Sequence, residues 1–141
     1  MKNIVSALEY RDIKIDQVYD FKRKFTYEDV CAFATLSGDK NPLHVDKTFG
    51  QNSQFGQNVI HGMLISSLFS TLVGMYCPGE KSLYLSQSLE FRRPLFIGQI
   101  VQVRGTVVEK NDSVKIIKMV TEVLRNDEKL VTGVAKVKIL D

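Results

Sequence analysis

Tyr19, Phe21, Arg23 and Phe25 alternate with Asp20, Lys22 and Lys24. Period two predicts a first strand with its Phe and Tyr side chains on one face. The period then changes. Thr26 stands three residues before Asp29, the spacing of an N-cap and its returning acid. Val30, Phe33, Ala34 and Ser37 follow at helical spacing. Gly38 can close that helix in the left-handed conformation, and Pro42 blocks its continuation. Asp39 and His44 are therefore expected on a loop just past a helix end.

Residues 59–75 predict a central helix. At about 100° per residue, Leu64, Ile65, Leu68, Phe69, Leu72 and Met75 share one arc. Ser66, Ser67, Ser70, Thr71 and Gly74 share the opposite arc with Met63. No charged residue lies between His61 and Glu80, so both faces are expected to be buried. The bulky face would pack on a sheet, and the small face would admit another backbone, a helix or a ligand. After Pro78-Gly79 the period returns to two. Leu83, Leu85, Gln87, Leu89 and Phe91 alternate with Tyr84, Ser86, Ser88, Glu90 and Arg92, and Val101, Val103, Gly105 and Val107 continue on a second strand. Asn111-Asp112-Ser113 and Asn126-Asp127 are turn signals, bounding strands over 114–124 and 130–140. The class is α+β, an antiparallel sheet wrapped around one long helix, which is the hot-dog architecture.

Composition narrows the reading. A chain of 141 residues with 44% hydrophobic content suits one domain, 1–141, with a real core. The formal charge of +3 is scattered, and its densest cluster is only Lys22-Arg23-Lys24. Nucleic-acid binding leaves a longer basic stripe, so none is expected. The apolar stretch over 59–75 is broken by His61, Ser66, Ser67, Ser70 and Thr71, which makes a poor membrane span and a good buried helix. MKNIVSALEYRD has no sustained apolar run before a cleavage site. Cys31 and Cys77 form no metal or redox spacing. Cys31 is expected to be a small core residue. A cytoplasmic protein is the simplest reading.

Two carriers of acid–base chemistry, Asp39 and His44, share one turn with Asn41 between them. The plainer reading makes Asp39 and Asn41 turn-formers that bond their own backbone. A five-residue separation does not stack side chains on a helix, but a proline-containing loop can converge them. VIHGML, residues 59–64, opens the central helix. The first N–H groups of a helix lack intrahelical partners, and its dipole adds positive potential there. Gly62 has no side chain to block approach, which suits an oxygen that gains negative charge. The His61 side chain is expected only to bond nearby backbone.

FATLSGDKNPLHVD, IHGM with the small-residue helix after it, and SQSLEFRRPLFIGQIV together resemble the MaoC-like, (R)-specific enoyl-CoA hydratase family. The resemblance is close over roughly 26–108. It implies a hot-dog homodimer or higher homo-oligomer that hydrates trans-2-enoyl-CoA to (R)-3-hydroxyacyl-CoA, or dehydrates in reverse. It implies that Asp39 and His44 are the catalytic pair and that Gly62 supplies the oxyanion N–H. It also implies that Asn41 orders the loop at the substrate site, and that Ser70 and Val73 shape the acyl pocket. The chain departs from the family at Lys47, often proline, at Gly50, often alanine or serine, and near Asn58, where proline is common.

The implied chemistry is conjugate addition. Water attacks the β-carbon, charge collects on the thioester oxygen, and a proton reaches the α-carbon from the same face. Either member of the pair can be the base at this stage. No pattern suggests a metal, flavin or nicotinamide, and coenzyme A enters as part of the substrate. The carrier is coenzyme A or acyl carrier protein, so a (3R)-hydroxyacyl-acyl carrier protein dehydratase is an alternative. A hot-dog thioesterase and a non-catalytic acyl-thioester-binding domain are the others.

Overall fold

The computed structural model describes residues 4–141; residues 1–3 of the stretch read for a leader lie outside it. The first strand, β1 (Val18–Lys24), forms where the alternation predicted it. Helix α1 (Tyr27–Ser37) begins with the expected reciprocal box. Thr26 Oγ1 accepts from the Asp29 N–H at 3.2 Å, and Asp29 Oδ2 accepts from the Thr26 N–H at 2.9 Å. It ends at Gly38, whose φ of 80° lets its N–H reach Ala34 O at 2.9 Å. Val30 and Ala34 face the core. Cys31 is only half-buried, because its position on α1 lies at the edge of that face; Cys31 and Cys77 are free thiols.

Two short helices follow, α2 (Pro42–Val45) and α3 (Lys47–Asn52). The central helix comes next, in three joined pieces: α4 (Gly62–Ser66), α5 (Leu68–Thr71) and a π-helical turn, Leu72–Tyr76. Ser67, between the first two, keeps right-handed helical dihedrals. The sheet is formed by β2 (Ser82–Gln87), β3 (Glu90–Phe91), β4 (Ile100–Asn111), β5 (Ile116–Arg125) and β6 (Glu128–Ile139) with β1. The order is β1-β4-β5-β6-β2, antiparallel at each pairing, with β3 also on β6. Asn126 and Asp127, at φ 50° and 65°, make the two-residue turn between β5 and β6. Val101, Val103 and Val107 of β4, Ile117, Met119 and Val123 of β5, and Val131, Ala135 and Val137 of β6 are buried with Leu64, Ile65, Leu68, Phe69 and Leu72 of the helix. The expected α+β hot-dog architecture is thus realised. Among the described residues, no helix is long and apolar enough to cross a membrane.

Four expectations about the elements are corrected. The helix starts at Gly62, not Val59, because Val59 and Ile60 are claimed by the segment before β4: Val59 bridges Phe96, and the Ile60 N–H donates to Leu95 O at 3.0 Å. The bulky face takes Val73 in place of Met75. Val73 is 1% exposed in the core while Met75 is half-buried. The cause is the π-helical turn, closed from the Cys77 N–H to Leu72 O at 3.0 Å, which inserts a residue into the helical register. The small face is not covered within the chain, since Ser67 and Ser70 are exposed and Met63 is 57% exposed. The strand expected through Phe91 also breaks at Ser88-Leu89. A register shift between Tyr84 and Ser86 accompanies outward-facing Leu83 and Leu85, 48% and 47% exposed.

Candidate active site

The loop after α1 is a ladder of short side-chain-to-backbone bonds. Ser37 Oγ donates to Phe33 O at 2.7 Å and accepts from the Asp39 N–H at 3.1 Å. Asp39 Oδ1 accepts from the Asn41 N–H at 3.2 Å, and Asn41 Oδ1 accepts from the Leu43 N–H at 3.0 Å. Asn41 is thereby the N-cap of α2, with Pro42 at the first helical position where its missing N–H costs nothing. His44 rides on this turn. The turn-forming reading of Asp39 and Asn41 is therefore correct and does not compete with the catalytic one. Tyr27 steadies α2 from α1, its hydroxyl donating to Val45 O at 2.6 Å. A hydrogen bond with Cys31, burial, and neighbouring Asp46 and Glu28 hold its phenol above its ordinary value, so it remains a donor.

Asp39, His44 and His61 bring a carboxylate oxygen and two ring nitrogens within 4.8 Å of one another. His44 Nδ1 lies 2.6 Å from Val59 O. A carbonyl can only accept, so Nδ1 carries the proton and Nε2 keeps a lone pair in the neutral ring. His61 Nε2 lies 3.0 Å from Asp39 O, which by the same reasoning places its proton on Nε2. The rings of His44 and His61 stack at 3.8 Å with planes 25° apart, and Phe33 meets His61 edge-on at 4.8 Å. The sequence reading brought Asp39 and His44 together and left out His61. Its side chain does bond backbone, but backbone 22 residues distant. No spacing in the sequence signals that contact.

One carboxylate and two imidazoles are also metal-binding types. The stacking argues against that use. A ligated ion lies in the imidazole plane about 2.0–2.1 Å from nitrogen, and with the two rings stacked face to face an ion in the plane of one lies out of the plane of the other. The arrangement suits proton transfer through a small molecule held between Asp39 and His44.

A cleft of about 390 Å³ opens at His44, and its lining does not include Asp39 or Asn41. His44 and Gly62 line it with Met63, Ile65, Phe91 and Val131, and Arg92, Arg93 and Pro94 contribute. Gly62 opens α4 behind His61, an N-cap that makes no side-chain cap bond. The Phe91 ring lies so close over Gly62 that a Cβ there would come within 2.7 Å of it. Ser70 is on the open helix face and Val73 is in the core, and the cleft lining includes neither. Asn41 is exposed and spends its carbonyl oxygen on the α2 cap. Arg92 is paired with Glu90 at 3.1 Å, Arg93 with Glu128 at 2.5 Å, and Lys81 with Glu9 at 3.7 Å.

Two of the departures prove to be one feature. Asn58 Nδ2 donates to Leu43 O at 3.0 Å and to Asp46 O at 2.8 Å, on either side of His44. A Cβ at Gly50 would sit 2.6 Å from that nitrogen. Gly50 thus makes the room that Asn58 occupies. Lys47, the third, lies over the Tyr27 ring with Nζ 4.4 Å from its centroid.

The family model described as MaoC like domain matches residues 12–129. This chain belongs to the MaoC-like domain family. The MaoC-like chain is 38% identical over 130 residues to an (R)-specific enoyl-CoA hydratase of Aeromonas caviae, covering 92% of this chain and 97% of the relative. It is 32% identical over 133 residues to a 3-hydroxybutyryl-CoA dehydratase of Methylorubrum extorquens, covering 94% and 85%. Among solved structures, the Aeromonas caviae (R)-hydratase matches with a TM-score of 0.89 at 37% identity, covering 92% of this chain and 98% of that one. An (R)-hydratase from Pseudomonas aeruginosa matches with a TM-score of 0.93 at 30% identity, covering 97% and 88%.

Proposed function

We propose that this MaoC-like chain is a hydratase of trans-2-enoyl-CoA that forms the (R)-3-hydroxyacyl thioester and runs the dehydration in reverse. The observation that carries this reading is the convergence of the Asp39 carboxylate on the His44 imidazole, which lines one cleft together with Gly62. The relatives named above support the substrate class. A water held between Asp39 and His44 attacks the β-carbon: its O–H bond breaks as the C–O bond forms, and the proton passes to one of the pair. Nε2 of His44 is suited to accept it, because Val59 O occupies Nδ1. The free Oδ2 of Asp39 accepts the water's second O–H and holds it at the β-carbon. The proton taken up by His44 is passed to the α-carbon on the same face as that C–H bond forms, which returns His44 to its neutral state. The Gly62 N–H stabilises the charge that collects on the thioester oxygen. Coenzyme A takes part as the substrate's carrier, and the catalytic steps use side chains and backbone alone. The acyl chain runs over the apolar wall of Met63, Ile65, Phe91 and Val131.

A second carrier has its own support. A mitochondrial 3-hydroxyacyl-[acyl-carrier-protein] dehydratase of Arabidopsis thaliana is 35% identical over 121 residues. Assays with crotonyl thioesters of coenzyme A and of acyl carrier protein separate the two. Loss of the enoyl thioester absorbance with an (R) product supports hydration. Thiol release from a saturated acyl-CoA would instead favour a thioesterase, and binding without either change would leave only a binding domain.

The assembly proposed is a homodimer joined edge to edge through its sheets. The uncovered small residues Ser67 and Ser70 leave room for a second chain against the helix, and the outward Leu83 and Leu85 on the edge strand β2 form an exposed apolar patch. Apolar patches of this kind commonly mark contacts between chains. Sedimentation should give a dimer or larger at micromolar concentration; a stable monomer would refute it.

A further inference from the structure

His61 touches both members of the pair and is given no chemistry by the proposed reaction. It is 1% exposed. Its Nε2–H donates to the Asp39 carbonyl at 3.0 Å and stands 3.9 Å from Asp39 Oδ2. Its ring face lies 3.8 Å from that of His44. Its other nitrogen, Nδ1, is buried without a hydrogen-bond partner among the described residues. A proton there would leave a buried donor unsatisfied, which is costly, so Nδ1 carries the lone pair. The bond to Asp39 then needs this one tautomer. Phe33 backs the ring at 4.8 Å, and the chain on either side is fixed by the Ile60 N–H to Leu95 O and by α4. The ring therefore has a set position from which to hold the others.

We propose that His61 is the positioning residue of the site: it ties the backbone of the Asp39 loop to the ring face of His44 and so sets the distance between carboxylate and imidazole. This rests on the hydratase reading for its activity test. Asp39 itself is on an exposed loop, with its side chain 52% exposed. The His44 end of the loop is tied to the strap over 58–62 through Val59 O and Asn58, whereas the bonds of Asp39 run to Ser37 and Asn41 within the loop and, among the described residues, cross to the strap only through His61. A loop free to move by about 1 Å would cost roughly a hundredfold in rate, although no reacting group had been removed.

The chain holds 2 histidines, so the ring nitrogens of ¹⁵N-histidine protein report on these two residues alone. The expected spectrum at neutral pH has opposite tautomers, Nδ1–H for His44 and Nε2–H for His61, and His61→Gln assigns them by removing one set. An Nδ1–H tautomer for His61 would overturn the proposal whatever the protein's substrate proves to be. The activity arm compares variants of similar melting temperature. His61→Phe keeps a ring against His44 but cannot donate, and kcat should fall about tenfold to a hundredfold with KM nearly unchanged. His61→Gln places an amide donor near the position of Nε2 and should recover most of kcat. Should His61→Phe fail to fold, His61→Asn replaces it, because its shorter amide falls short of the Asp39 carbonyl. A Gln variant no better than the non-donating one, or a non-donating variant at the wild-type kcat, would overturn the proposal. A wild-type protein without hydratase activity would sink the functional reading and leave the tautomer measurement to decide the role of His61.

Discussion

The loop over 37–46 and the strap over 58–62 meet at one site and are built by opposite means. The loop is held by bonds between residues two to four apart, from Ser37 to Phe33, Asp39 to Ser37, Asn41 to Asp39 and Leu43 to Asn41. The strap is held by bonds that cross the chain, from Asn58 to Leu43 and Asp46, from Ile60 to Leu95 and from His61 to Asp39. In the proposed reaction the loop supplies the reacting groups, and the strap, which carries Gly62, bonds to the loop at Leu43, His44, Asp46 and Asp39. Reactivity is thus encoded locally and its alignment is encoded over distance. A change in the loop should remove chemistry without unfolding, whereas a change in the strap should cost both stability and rate.

The largest effect should come from the loop. Asp39→Asn and His44→Ala should each lower hydration at least about a hundredfold, the low end of general acid–base effects. Both variants should stay folded, Asp39→Asn with a melting temperature near that of the wild type and His44→Ala with a lower one, because it gives up the bond to Val59 O and the stack on His61. Near-normal turnover by either folded variant would remove that residue from the mechanism.

The strap gives the next effect, of a different kind. Asn58→Ala removes two donors from the carbonyls of Leu43 and Asp46. The expected loss is about 1–3 kcal/mol of stability, seen as a lower denaturation midpoint together with a fall in kcat. Gly50→Ala should cost more than Asn58→Ala, because its new Cβ would meet the Asn58 amide at 2.6 Å and also the backbone of Asn58 and Gln57 at 2.7 and 2.9 Å. If Asn58→Ala lost stability at full kcat, the strap would be a fold element only, and the contrast between the regions would fail.

The same contrast explains what was legible in the sequence. The capping box at Thr26, the stop at Gly38, the turn at Asn126-Asp127 and the shape of the 37–44 loop depend on neighbours in the chain. Local rules therefore found them. The π-helical turn that carries Val73 into the core, the extended pairing of Val59 and Ile60, and the stack of His61 on His44 depend on partners brought in by the fold. Hydrophobic period alone could not place them. The uncovered small face of the helix belongs with these: the absence of charge suggested burial, and within one chain Ser70 stays exposed.

That placement sharpens the smallest effect. The resemblance implied Ser70 and Val73 as acyl-pocket residues, while the cleft beside the pair is walled by Ile65, Phe91 and Val131. Val131→Phe should therefore lower kcat/KM roughly tenfold more for an eight-carbon enoyl thioester than for a four-carbon one, within the range of discrimination by pocket size. Ser70→Leu should leave that ratio unchanged. The opposite result would run the acyl chain along the helix face.

The central claim is that Asp39 and His44, aligned against Gly62, add one water across an enoyl thioester. Its most direct test is crotonyl-CoA hydration by the wild-type protein with chiral analysis of the product, beside Asp39→Asn. The account predicts loss of the enoyl absorbance, formation of the (R)-3-hydroxybutyryl thioester, and near-abolition of both in the variant. An (S) product, free thiol in place of a hydroxyacyl thioester, or a variant as active as the wild type would contradict it.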